Sequence, residues 1–176
     1  VIFKGVSSDF DWSSLDTFIT EGRFPDLSNS ISKEILISET LARQLDLKVG
    51  DQTDTFFQNQ PYESLPKKRR FTVAGIYFSG FPDVDQTILY GDLRQIQKLN
   101  RWEENMIGAY ELFVKDFSLV QNTTDQIYNS IPSELNSIPI FDRFPSIFQW
   151  ISLFDFNVLI ILIVMIMVGV SNMATA

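Results

Sequence analysis

The sequence predicts an α+β fold: a small mixed sheet with a βαβ unit and short helices, followed by the start of a transmembrane helix. Three observations lead there. Apolar runs of strand length, such as residues 34–37 and 70–78, alternate with stretches of helical period. Residues 110–141 have the length and order of a strand, a helix and a second strand. Residues 158–170 carry no polar side chain at any angle of a 3.6-residue period, so no side of that helix can face water.

The elements follow in order. Residues 34–37 read as a strand, Ser38 as an N-cap, and Leu41, Ala42 and Leu45 as the inner face of a short helix closed by Lys48-Val49-Gly50-Asp51. Residues 53–57 form a second strand, the polar stretch 58–68 a hairpin tip or protrusion, and residues 70–78 a long alternating strand. Gly80-Phe81-Pro82-Asp83 turns the chain, residues 86–90 are strand-like, and Leu93, Ile96 and Leu99 mark another short helix. Residues 110–114 are expected as a strand, Ser118 as the cap of a helix with Val120, Thr124, Ile127 and Ile131 on its apolar side, and residues 138–141 as a further strand. Arg143-Phe144-Pro145 ends that strand and Ser146 opens the last helix. The expected organisation is thus an α+β domain over residues 1–145, with a protruding hairpin loop at 58–70, and a membrane-entering helix over 146–176. Sheet and span are separated by only a few residues, so motion of either is transmitted to the other.

About 20 apolar residues are needed to cross a bilayer core of roughly 30 Å. The uninterrupted run is shorter than that, but it suffices if the helix begins near Trp150 and Ile151, accepts Asp155 and Asn157 at headgroup level, and continues through Met173 and Ala174. The expectation is an interrupted membrane span in a piece of a larger membrane protein, since Val1-Ile2-Phe3 has neither an initiator Met nor a basic signal region. The alternative is a soluble recognition module with a buried C-terminal helix. No Lys or Arg occurs in residues 144–176, which favours an extracytoplasmic side for the preceding domain.

Composition narrows the functions. A hydrophobic fraction of 45% over 176 residues supports a folded core. With 22 acidic and 14 basic side chains the net charge is −8, which repels phosphate backbones and argues against nucleic acid as a partner. No His and no Cys are present, so triads of the Ser-His-Asp type, thiol nucleophiles and the usual zinc sites are impossible. Neither a cofactor nor a metal is expected. Two carboxylate pairs remain, Asp83 with Asp85 and Glu103 with Glu104; each reads as a solvated loop, with a metal at Asp83 and Asp85 as the sharper alternative. No phosphate-cradling glycine loop is found, so ATP hydrolysis is expected on a separate subunit.

Lys67-Lys68-Arg69-Arg70 is a basic cluster on this acidic chain and follows a loop containing Pro61, Tyr62, Leu65 and Pro66. It can dock an acidic partner, or it can be a solvated hairpin whose charges discourage edge-strand aggregation. Asn122-Thr123-Thr124 fits the glycosylation pattern, but Asn and Thr are ordinary at a helix start.

The series Leu36-Ile37-Ser38-Glu39-Thr40-Leu41-Ala42, Leu45-Asp46-Leu47-Lys48-Val49-Gly50-Asp51 and Phe71-Thr72-Val73-Ala74-Gly75-Ile76 resembles the extracytoplasmic domain of FtsX-like ABC permeases. Glu21-Gly22-Arg23-Phe24-Pro25, Tyr77-Phe78-Ser79-Gly80-Phe81 and Val84-Asp85 are similar to further elements of that family, and residues 157–173 to the start of its second transmembrane helix. The resemblance implies a MacB-like periplasmic core domain in an inner-membrane permease, on the periplasmic or extracellular side. It implies a dimer or heterodimer with a second permease subunit, driven by a cytoplasmic ABC ATPase subunit, that transmits motion to a substrate or partner outside the membrane. The closest likeness is to the lipoprotein-releasing LolC/LolE branch, where a hairpin at this place holds a periplasmic lipoprotein carrier. By that likeness Tyr62, Leu65, Pro66 and Arg69 are partner-binding candidates, with Pro66-Lys67-Lys68-Arg69 matching the branch's Pro-x-x-Arg.

Overall fold

The computed structural model describes residues 1–58 and 65–175. The chain divides into two compact units, Val1–Tyr110 and Glu111–Ala176. Among the described residues of the first unit, six strands form one mixed sheet: β1 (Ile2–Val6), β2 (Ile19–Gly22), β3 (Glu34–Ser38), β4 (Gln52–Phe57), β5 (Lys67–Tyr77) and β6 (Ile88–Asp92). Their order is β1-β6-β3-β5-β2, with β4 also paired to β5. β1 runs parallel to β6 and β3 parallel to β5, whereas β6–β3, β5–β2 and β5–β4 are antiparallel. The α+β class with a mixed sheet is therefore realised.

Both faces of the sheet are buried, which is why its inner strands read as continuous apolar runs. Ile35, Ile37, Phe71, Val73, Ile76 and Leu89 pack on one face with Ala42 of α1 (Glu39–Leu45) and the rings of Phe3 and Phe57. On the same side α3 (Leu93–Asn100) lies so close to β1 that a Cβ on Gly5 would meet Leu93 Cα at 2.9 Å. The opposite face holds Val6, Leu36, Tyr77 and Tyr90 under Phe10, Trp12, Phe24 and Leu27 from the chain between β1 and β3, together with Val84 of α2 (Pro82–Asp85).

A register shift in the β3–β5 ladder, where Ile35 pairs Val73 and Leu36 pairs Gly75, leaves Ala74 as an extra residue. It resets the alternation, so Phe71, Val73 and Ile76 share one face and Tyr77 enters the other. The bulge also marks where one partner replaces another. Before it β5 pairs β4, and from Gly75 onward it pairs β2.

Ser38 caps α1 as the sequence suggests: its hydroxyl accepts from Leu41 N at 3.1 Å and donates to the Asp85 carbonyl. The inner face of α1 differs from expectation at Leu45, which is 61% exposed. Asp46 adopts the left-handed conformation (φ 52°) and ends the helix, and the reversed chain packs Leu47 into the core instead.

The start of α3 ties down the chain ahead of β3. Asp92, 1% exposed, accepts from Ser32 N at 2.7 Å, from Arg94 N at 2.8 Å and from the Arg94 guanidinium at 2.7–3.1 Å. Arg94 in turn donates to the carbonyls of Leu27, Asn29 and Ser30. A buried charge is tolerated only when so answered.

In the second unit the expected βαβ segment keeps its helix and loses its strands. α4 (Val120–Ser130) follows a 3-10 turn capped by Asp116, which accepts from Ser118 N and Oγ, so Ser118 is not itself the cap. Residues 110–114 form no strand, and Tyr110 and Phe113 stay 82% and 81% exposed. An apolar stretch alone cannot make a strand without a neighbour to complete its ladder. At 138–141 Pro139 offers no N–H and sits at the N-cap of a short helix, α5 (Ile140–Arg143).

α6 (Pro145–Thr175) is the long apolar helix, with Phe148 in its first turns stacked on Phe117 and edge-on to Phe141. The last sheet strand ends at Asp92, so no sheet strand leads directly into α6, contrary to the short connector expected.

Replacing Asp92 with Asn removes the charge that Arg94 answers and should cost about 3 kcal/mol in denaturant unfolding; a loss under about 1 kcal/mol would contradict the network's role. A second expectation concerns the β4–β5 hairpin, where Asp54 is flanked by Arg70 and Lys68 at 2.9 and 2.7 Å. These partners, Arg70 first, lower the Asp54 carboxyl from 3.8 to about 2. Because the folded value lies below the unfolded one, the pairing supports the hairpin at pH above the unfolded value and is lost as pH falls through the folded one. Carboxyl NMR should place the Asp54 midpoint near 2, and R70A should move it upward.

Candidate functional site

The basic cluster occupies the first residues of β5. The antiparallel register sets Lys68 opposite Phe56, Arg69 opposite Thr55 and Arg70 opposite Asp54. Successive strand residues point to opposite faces, so Lys68 and Arg70 share one side, where both reach Asp54. Lys68 Nζ also lies 5.9 Å above the Phe56 ring. Lys67 donates to the Leu99 carbonyl and so ties the start of β5 to the end of α3.

Of the partner-binding candidates, Leu65 is 91% exposed, and Pro66 and Arg69 are exposed beside it at the entry to β5. Tyr62 lies outside the described residues. The structure thus leaves Leu65, Pro66 and Arg69 accessible.

Two further cations join that cluster from distant parts of the chain. Lys33, just ahead of β3, and Lys98, near the end of α3, line a groove of about 460 Å³ with Ile31, Gln95, Lys68, Arg69 and Arg70. Gln95 is buried and holds the wall in place by donating to the Ser32 carbonyl at 2.7 Å. Among the described residues no carboxylate pairs with Lys33, Arg69 or Lys98. No sequence spacing links Lys33 and Lys98 to the cluster, and only the fold juxtaposes them.

The carboxylate pairs have other duties. Asp85 is 2% exposed, so it is not the solvated loop residue expected; it accepts from Ser79 N at 3.0 Å, Ser79 Oγ at 2.7 Å and Gly80 N at 3.1 Å. Those bonds fasten the turn after β5 and occupy both of its oxygens. Glu103 and Glu104 are exposed in the turn after α3, where the Glu104 and Met106 carbonyls accept from Gln97. Among the described residues no group of three or more metal-ligating side chains assembles.

The residues that carry the sequence resemblance are likewise architectural. Gly22 (φ 76°) closes β2 against Gly75, where a Cβ would fall 2.4 Å from the Ala74 carbonyl oxygen. Arg23 grips Glu34 with two bonds of 2.6 and 2.8 Å and holds its carboxyl below the ordinary range, while Phe24 stacks on Trp12 at 4.7 Å.

No protein-family model matches the chain. It is similar to the lipoprotein-releasing system transmembrane protein LolC of Haemophilus influenzae, with 24% identity over 111 residues, 61% of this chain and 26% of that protein. It is also similar to LolC of Xylella fastidiosa, with 29% identity over 72 residues, 39% of this chain and 17% of that protein. The matched stretch therefore spans about a quarter or less of those relatives, and over that stretch the chain is a distant relative of LolC.

Proposed function

We propose that the chain is part of an ABC transporter permease subunit, in which the sheet unit is an FtsX-like, MacB-type domain on the extracytoplasmic side of the inner membrane. The observation that carries this reading is the pairing of a LolC-similar chain with a 30-residue apolar helix, mean hydropathy 2.7, whose most apolar window has no buried residue. Residues 145–174 rise about 45 Å as a helix, enough to cross a hydrocarbon core of roughly 30 Å. In this reading α6 spans the bilayer, a cytoplasmic ATPase subunit supplies the energy, and a second permease subunit, identical or different, completes the transporter. The sheet unit passes motion to a cargo or carrier, with lipoprotein release as the output. The chain itself is not an enzyme.

Because these 176 residues contain no cysteine, the topology is measurable once any cysteine elsewhere in the full-length protein is replaced. A single cysteine at Lys48, exposed in the turn after α1, should react with a membrane-impermeant maleimide in spheroplasts of cells carrying the full-length protein. Labelling seen only after lysis would refute the extracytoplasmic placement. For the hairpin, we propose that Tyr62, Leu65, Pro66 and Arg69 contact a periplasmic lipoprotein carrier. R69E should then cut carrier capture by the detergent-solubilised complex about tenfold, by reversing a charge at the contact; undiminished capture refutes that contact.

A further inference from the structure

We propose that the groove between β5, the segment ahead of β3 and α3 binds a phosphorylated small anion. This goes beyond the permease reading and does not depend on it. Five cations, Lys33, Lys68, Arg69, Arg70 and Lys98, line one groove of about 460 Å³ on a chain of net charge −8. Lys68 and Arg70 share the Asp54 carboxylate on the other side of β5 from Arg69, so the cations of the lining that no carboxylate answers among the described residues are Lys33, Arg69 and Lys98. Like charges gathered this closely repel one another, and an anion relieves that repulsion where general solubility does not require the clustering.

The backbone contributes as well. β3 begins opposite Thr72, whose N–H donates to the Lys33 carbonyl at 2.8 Å, while β5 runs on through Lys67–Arg70 toward the hairpin. Among the described residues that stretch of β5 pairs only with β4, on its other side. Alternate residues of a strand aim their N–H groups away from a given neighbour, so unpaired donors face the same side as the groove. The fork of Arg69 suits bidentate contact with phosphate oxygens, and Lys33 and Lys98 act as point charges from the two flanking walls.

Size and polarity favour a small anion over a protein segment. Ile31 is the one apolar side chain in the lining, whereas docked peptides rely on apolar anchors at the centre of the contact. Phosphate oxygens are supplied equally by a soluble phosphorylated molecule and by the headgroup of an anionic lipid, and the two sources are separated by the test.

The probe is inorganic pyrophosphate, titrated calorimetrically into the full chain in zwitterionic detergent micelles. Wild type should give saturable one-site binding, and the double variant K33Q/K98Q should weaken it roughly tenfold or more, as expected for loss of two charged contacts. K48Q, an exposed lysine outside the groove, should leave it unchanged, and circular dichroism of each variant confirms an intact fold. Lys33 and Lys98 lie outside the carrier-contact set, so K33Q/K98Q should not reduce carrier capture; failure of this proposal is thereby distinct from failure of the permease reading. Equal pyrophosphate affinity in wild type and K33Q/K98Q overturns the proposal, as does a polyglutamate peptide binding the groove more tightly than pyrophosphate. In nanodiscs, phosphatidylglycerol that competes with pyrophosphate identifies a lipid headgroup as the source, and the absence of competition identifies a soluble phosphate; either outcome upholds phosphate recognition.

Discussion

One strand governs the first unit. β5 hydrogen-bonds three others, β3 along one edge and β4 then β2 along the other, and Ala74 bulges from the β3 ladder at the level where β4 gives way to β2. The extra residue does more than shift a ladder. Without it the period of two would send Tyr77 to the same face as Phe71 and Val73, where the phenol could not reach the Ile88 carbonyl it now donates to at 2.8 Å. Burial pushes the Tyr77 hydroxyl well above its usual pKa, so that phenol stays a donor, and the pairing of Tyr77 with Tyr90 sets the second core. The stretch of β5 ahead of β3 carries the basic cluster out to the hairpin and forms one wall of the groove.

Charge is distributed by the same logic of what each position can satisfy. The two most deeply buried carboxylates, Asp85 and Asp92, have their oxygens occupied by backbone and side-chain donors, and each fastens a loop rather than facing a ligand. Leaving either unpaired in so dry a site would cost more than the whole loop could recover. The cations are treated differently. Arg94 is half-buried against Asp92, and those on β5 and beside it remain at the surface. The groove lining is thus rich in donors and poor in acceptors.

Much of this architecture was legible in the sequence, and the places where it was not have definite causes. Residues 34–37, 53–57 and 70–78 were recognisable as strands from their apolar content, and Ser38 and Leu93-Ile96-Leu99 as a cap and a helix face, because those signals are local. β1 and β2 went unread: Ile2–Val6 and Ile19–Gly22 are short and owe their strand state to Ile88–Asp92 and to the end of β5, not to their own alternation. The reverse error arose at residues 110–114, where the apolar content suggests a strand and no partner strand is present among the described residues. Asp85 was misread because nothing in Asp-x-Asp reveals that the Ser79-Gly80 turn folds back over it. The groove is the extreme case. Its cations come from three separate segments, and no local pattern registers a charge density that only tertiary structure creates.

The last helix poses the remaining physical question, which is what surrounds it. Every large apolar side chain kept in water instead of an apolar medium forgoes roughly 1.5–3 kcal/mol, whereas a folded domain has in all only about 5–15 kcal/mol of stability. A helix bearing Leu159, Ile160, Ile161, Leu162, Ile163, Val164, Met165 and Ile166 in unbroken succession, each 43–65% exposed, forgoes an amount of the same order as that whole margin if solvent is its neighbour. A partner helix relieves one stripe of such a surface and leaves the others wet, since the apolar residues occur at every angle around the axis. An environment that is apolar on all sides, as hydrocarbon is, relieves all of it. The same asymmetry separates the two parts of the chain: the sheet unit answers its buried charges from within, among its described residues, whereas the last helix is apolar at every angle and answers nothing from within.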